Sequence, residues 1–232
     1  MSGLVTLGNK FDINDINYSD IKTNQSGGKH IFIKGQKNTS LFLQTPFMRT
    51  PFGLKTFDDN NIKWSLDLTF KNNENFLKIM ENFNNKILSD GAEKSKEWFN
   101  KKKKKDVLHE LYSSCVKYSK NGETGEINNK YPPTLRISVS NYDDNWDNVK
   151  IFDTNRNILK ENLNDLLRNG CEVRTIIKCK GIWFINGKFG CNWSLVQCEI
   201  KNNSINDNLY SFIDSDDEDT DIDNSSDTPD DE

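Results

Sequence analysis

The sequence predicts a mainly β fold with inserted helices, and three observations carry that expectation. KWSLDLTF (63–70) alternates Trp64, Leu66, Leu68 and Phe70 with Ser65, Asp67 and Thr69, a period of two that lays four large apolar groups on one face of a strand. Directly afterwards the period changes, and Phe76, Leu77, Met80, Phe83, Ile87 and Leu88 recur at helical spacing. Residues 172–185 and 188–200 then form two long β-type runs about Asn186-Gly187, the dipeptide favoured by two-residue type I′ hairpin turns.

The remaining elements follow in order. Residues 1–28 are polar and close on Ser26-Gly27-Gly28, which reads as an irregular arm. HIFIKG (30–35) and TSLFLQT (39–45) are β-branched and aromatic runs separated by Gln36-Lys37-Asn38, hence two strands and a tight turn. TPFMRTPFGL follows, and Pro46 and Pro51 exclude it from a helix interior or a central strand. The helix after Phe70 is expected to stop at Ser89-Asp90-Gly91, with a second helical stretch from Ala92 to Tyr118. Residues 121–133 read as loop, 135–140 (LRISVS) and 149–153 as strands, and 158–170 as a short helix or turn closed by Gly170. The domain boundaries expected are an arm over 1–28, a folded domain over 29–205 with its helical insertion at about 74–119, and a disordered tail over 206–232.

Charge divides the same way. The 232 residues carry 31 Lys and Arg against 35 Asp and Glu, but 11 of those acids lie from Asp214 onward, where there is no cation. The 31 cations of the preceding residues therefore stand against 24 acids, so a body of +7 is joined to a strongly acidic tail. Aromatic content of 11% argues that the body folds. No stretch reaches the roughly 20 apolar residues that cross a bilayer, and the first residues lack the pattern of a signal peptide, so an intracellular protein without membrane contact is expected. Five Cys form no C-x-x-C and there are only two His, which leaves free buried thiols as the expectation and no metal or other cofactor. Phosphate-loop, G-x-S-x-G and H-E-x-x-H patterns are absent, so catalysis is not expected.

In a regular hairpin register, Val173, Ile177, Cys179, Trp183, Val196, Cys198 and Ile200 share one face, and Arg174, Lys178, Lys180, Phe184, Phe189 and Trp193 the other. The second set has the ingredients of a single-strand nucleic-acid platform, with rings to stack on bases and cations to follow phosphates. The competing reading makes those rings core and the cations a rim, and a bulge at Gly181 would move Trp183 across. Arg49 with Phe47 and Phe52 reads either as a clamp or as a lid over the core. Arg136, behind the rigid Tyr131-Pro132-Pro133, is a candidate backbone contact. The KKKKK run (101–105) reads as a solvated face, a phosphate contact or an import signal. Asp143, Asp144 and Asp147 form an acidic turn that a metal-dependent nuclease would use as ligands.

The strand and helix order matches the five-stranded Greek-key barrel called the OB-fold, here with an extra hairpin. With LFLQTPFMRTPFGL, KYPPTLRISV, the IKCKGIWFINGKFGCNWSLVQCEI hairpin and the acidic tail, the chain resembles the T7-type single-stranded DNA-binding proteins, and their relatives in large nucleocytoplasmic DNA viruses. The resemblance implies non-catalytic coating of single-stranded DNA in replication, recombination and repair, tail contacts with replication enzymes, and often a homodimer. It places Trp183, Phe184, Phe189, Trp193, Lys178 and Lys180 on DNA, while the charge contrast itself makes the tail around Asp216, Asp217, Glu218 and Asp219 a regulatory segment, an internal mimic of phosphate or a partner contact, against the reading of a solubility tag. That family's tail ends in an aromatic residue, whereas this one ends Pro229-Asp230-Asp231-Glu232, with Phe212 the nearest ring. The alternative from another class is an interaction protein that uses its acidic tail on basic partners and has no nucleic-acid surface.

Overall fold

The computed structural model describes residues 4–25, 27–56, 63–140 and 149–201. The acidic tail and the Asp143–Asp147 turn lie outside the described residues.

The N-terminal stretch differs from the irregular arm expected of it. β1 (Val5–Leu7), β2 (Asn17–Tyr18), β3 (Lys22–Thr23), β4 (Lys29–Ile31) and β5 (Ile33–Lys34) are short strands, with β2 on β5 and β3 on β4. Side chains that a periodicity reading does not flag fix this segment. The Tyr18 hydroxyl donates to Asp90 at 2.6 Å, its ring meets Trp98 edge-on at 5.2 Å, and Phe11 lies 6.1 Å from Phe83. Burial, together with the Asp90 carboxylate, holds the Tyr18 phenol protonated far above its ordinary range.

A turn at Gln36–Asn38 leads into β6 (Phe42–Gln44), and the double-proline stretch yields β7 (Met48–Arg49) and β8 (Leu54–Thr56). β9 (Lys63–Thr69) buries Leu66 and Leu68, and Phe70 follows them into the core, as the alternation predicts. α1 (Glu74–Glu93) buries Phe76, Met80, Phe83, Ile87 and Leu88. Gly91 does not end it. That residue lies inside the helix, and a side chain there would come 3.2 Å from Trp98 Cζ3, so glycine serves close packing.

The second helical stretch is broken rather than continuous. α2 (Ser95–Phe99) ends at Asn100, whose φ of 57° is left-handed, and the lysine run links it to α3 (Lys105–Leu111), which gives way to β10 (Tyr112–Ser113) and β11 (Val116–Lys117). Five consecutive lysines offer no apolar face to hold a helix, and most stand exposed. β12 (Thr134–Ser140), β13 (Lys150–Phe152), β14 (Ile158–Leu159), the single turn α4 (Leu163–Leu166), β15 (Glu172–Ile185) and β16 (Lys188–Ile200) complete the order.

The fold is mainly β with a few helices. The principal sheet runs β1-β6-β15-β16-β12-β9-β8 and is open along that path. β9 and β12 are antiparallel, β12 and β16 parallel, β15 and β16 antiparallel. β6 and β7 pair β15 while β8 pairs β9, so the residues from 42 to 56 touch both strands. α1 covers the inner face, with Phe83 5.4 Å from Trp193 and Phe76 5.8 Å from Phe70.

Candidate nucleic-acid interface

The hairpin turn keeps the register that Asn186-Gly187 predicts, with Ile185 opposite Lys188 and Phe184 opposite Phe189. Two irregularities then redirect its side chains. Ile176 faces Gln197 but Ile177 faces Leu195, so Val196 is the extra residue on β16. Cys179 faces Trp193 but Gly181 faces Asn192, which makes Lys180 the extra residue on β15. Gly181 has φ +95°, and a Cβ there would collide with the Ile31 carbonyl, so only glycine fits where β4 crosses.

These bulges overturn part of the expected platform. Phe189 and Trp193 are 0% exposed, and Phe184 is stacked on Phe189 with centroids 6.1 Å apart and 12° between planes. Phe99 closes edge-on over both, at 5.4 and 5.0 Å. Phe189 and Trp193 are core, and Phe184, on the same inner face, is partly buried against them. A strict period of two, carried across a bulge, assigns every later side chain to the wrong face. Trp183 changes sides with them: it stands half-buried on the outer face, its indole N–H donating to Asn192 Oδ1 at 3.0 Å.

The outer face of β15 holds a different set of rings. Trp183 pairs with His30, and His30 with Lys22, so the three side chains share one face. Phe32, two residues beyond His30 and 43% exposed, meets its imidazole at 4.6 Å and has Lys22 Nζ 5.3 Å from its centroid. His30 Nε2 hydrogen-bonds the Lys180 carbonyl at 2.7 Å, tying β4 to the bulge. Farther along, Lys178 Nζ lies 5.7 Å from the Phe42 ring, and Arg174 lies 4.9 Å from Phe47, which also has Lys201 at 5.7 Å. From Arg174 to Trp183 this row spans about 30 Å at strand spacing. A groove of about 290 Å³ lined by Phe152, Arg156, Arg174, Gln44 and Gln197 adjoins its lower end.

Not every expected cation is equally available. Arg136 gives Nε and Nη2 to the two oxygens of Asp67 at 2.8 Å each, a fork that supports the β9–β12 pair and neutralises the proposed backbone contact. Arg174 is paired with Glu199 at 2.6 Å and Lys201 with Glu172 at 3.1 Å. Among the described residues, Lys22, Lys178 and Lys180 have no carboxylate within ion-pair distance.

The double-proline segment is fixed by backbone bonds. Thr50 Oγ1 donates to the Arg168 carbonyl at 2.7 Å, Leu54 N–H to the Leu167 carbonyl at 2.9 Å, and Arg49 Nε to the Gly170 carbonyl at 3.1 Å. It presents Phe52, 51% exposed with Lys55 Nζ 4.1 Å from its ring, and holds Phe47 half-buried beneath Arg174. The sequence reading missed Phe32, His30 and Lys22, because an exposed ring in a β-branched run carries no periodic signal until its pairing partner is known.

Among the described residues, no group of three or more His, Cys, Asp or Glu is placed to hold a metal ion. Burial pushes the Cys115 thiol up to about 12 and raises those of Cys191 and Cys198 well beyond their ordinary range.

The family model described as "Family of unknown function (DUF5871)" matches residues 57–214. The chain belongs to that family. No curated protein matches it in sequence. Among solved structures, the fold is similar to the single-stranded DNA-binding protein from bacteriophage Enc34 in complex with ssDNA, at 12% identity over 78% of this chain and 89% of that one, with a TM-score of 0.45. It is also similar to gp2.5, a single-stranded DNA-binding protein encoded by bacteriophage T7, at 10% identity over 74% of this chain and 98% of that one, with a TM-score of 0.42.

Proposed function

We propose that the chain binds single-stranded DNA without sequence preference along the outer face of β15. The observation that carries this reading is the interleaving on one face of Lys22, Phe32 and Trp183, then Lys178, then Arg174 and Phe47. Aromatic faces stack on any base, and cations between them meet a phosphate at each step, a combination that favours strands whose bases are already unstacked. Arg49, Phe52 and Lys55 extend the row, while Phe184, Phe189 and Trp193 support it from within. What the row offers is stacking and phosphate contact, and the function read from it is binding.

Taken as one bent strand, residues 42–56 pair with β15 at one end and β9 at the other, so the path runs from 42–56 through β9, β12, β16 and β15 and back to 42–56, which supports a five-stranded Greek-key barrel. We place the acidic tail, including Asp216, Asp217, Glu218 and Asp219, as a competitor of phosphate and as the contact for replication enzymes. Action in viral replication, recombination and repair, and pairing into homodimers, complete the proposal. Titrating oligo(dT) into the protein, with and without magnesium, tests it. Tryptophan fluorescence falls on binding, Trp183→Phe loses most of that change, and the oligonucleotide stays uncut. An unaltered signal at saturating oligo(dT), or cleavage with magnesium, overturns it.

A further inference from the structure

We propose that a second site, the groove between α1, α3 and β10–β11, binds a nucleoside phosphate. The groove has a volume of about 810 Å³ and shares no residue with the β15 row. That size suits a ligand larger than an inorganic anion. Its floor is apolar, from the buried Leu88 and Val116, and its walls carry the amides of Asn82 and Asn85 and the hydroxyls of Ser113 and Ser114. A flat, partly apolar base with donors and acceptors on its edge fits such a lining.

Asn84 keeps the wall rigid. It is 7% exposed, accepts from the Tyr112 hydroxyl at 2.8 Å and donates to Ser114 Oγ at 3.0 Å. The cations supply the anion requirement. Lys78, Lys117, Lys120 and Lys188 line the groove against two carboxylates, Glu81 and Glu110, and Glu81 already accepts from the Tyr118 hydroxyl. Lys117 is the informative one. Its partial burial and the neighbouring Arg136 guanidinium both disfavour its charged form, Asp67 is engaged by Arg136, and among the described residues no carboxylate reaches ion-pair distance of it. An incoming phosphate relieves that cost, which a solvated surface lysine does not incur.

The site stands apart from the single-strand reading, and one set of titrations separates them. Calorimetry on the full chain uses dTMP, thymidine, inorganic phosphate and oligo(dT). The expected result is that dTMP binds at least about tenfold more tightly than thymidine or phosphate alone, and that Lys117→Gln weakens dTMP about tenfold while oligo(dT) affinity and the thermal midpoint hold. Lys120→Ala, at an exposed position, gives the same direction if Lys117→Gln does not fold. Oligo(dT) is expected not to displace dTMP, as a separate site requires, and displacement overturns the proposal. No binding of dTMP at millimolar concentration, phosphate binding as well as dTMP, or unchanged dTMP affinity in a folded variant overturns the proposal. Loss of oligo(dT) binding alone would sink the single-strand reading and leave this one standing.

Discussion

Trp183 and Trp193 stand ten positions apart on one hairpin and have opposite fates. Trp193 is enclosed beside Phe83, and its indole N–H is buried with no partner among the described residues. Trp183 stands at the surface, held by Asn192. Trp193→Ala should therefore cost about 3–5 kcal/mol of stability, read from chemical denaturation, because it opens a cavity. Trp183→Ala should leave stability within about 1 kcal/mol and weaken oligo(dT) binding about tenfold, read by fluorescence anisotropy, since it removes one stacking position. The cysteines extend the same contrast. At pH 8 the Cys115, Cys191 and Cys198 thiols, raised by burial, carry almost no thiolate, so a thiol-specific reagent should label them only as fast as the protein opens. Fast labelling of all five in the native state would contradict their burial.

At the scale of the element, the hairpin shows what the sequence discloses and what it withholds. Asn186-Gly187 is a local signal and sets the turn, and the alternation, local too, sends Leu66, Leu68 and Phe70 into the core, although Ser65 and Asp67 on the other face are buried as well and Trp64 only partly. Bulges are different. The one at Lys180 sits where β4 crosses at Gly181, and the touching residues lie about 150 positions earlier, so no window of sequence around the hairpin contains that contact. The same holds for the arm, where Tyr18 finds Asp90, and for Gly91, whose role depends on Trp98. The cations of β15 survived the change of face because both bulges leave Arg174, Ile176 and Lys178 in alternation on one strand. Replacing Lys178 and Lys180 by Ala should flatten the dependence of log affinity on log salt by about 0.7 for each phosphate that is no longer neutralised. An unchanged slope would move the phosphate path away from β15, with Lys101 to Lys105 next in line.

Over the whole molecule, a body of +7 is covalently joined to a tail with 11 acids, and the proposed role of that tail is to compete with DNA phosphates for cations. Truncation after Phe212 should raise oligo(dT) affinity at low salt, with the gain fading as ionic strength rises, and equal affinities of both forms at low salt would assign the tail another role. If the outer face of β15 binds unstacked bases, single-stranded and duplex DNA of the same length will be told apart by that face. Affinity of the intact chain and of a Phe32→Ala/Trp183→Ala variant would be measured for both at one salt concentration. The intact chain should prefer the single strand, and the variant should lose at least about tenfold on it and less than about twofold on the duplex. Equal loss on both, with the variant folded, or no preference in the intact chain, would contradict it.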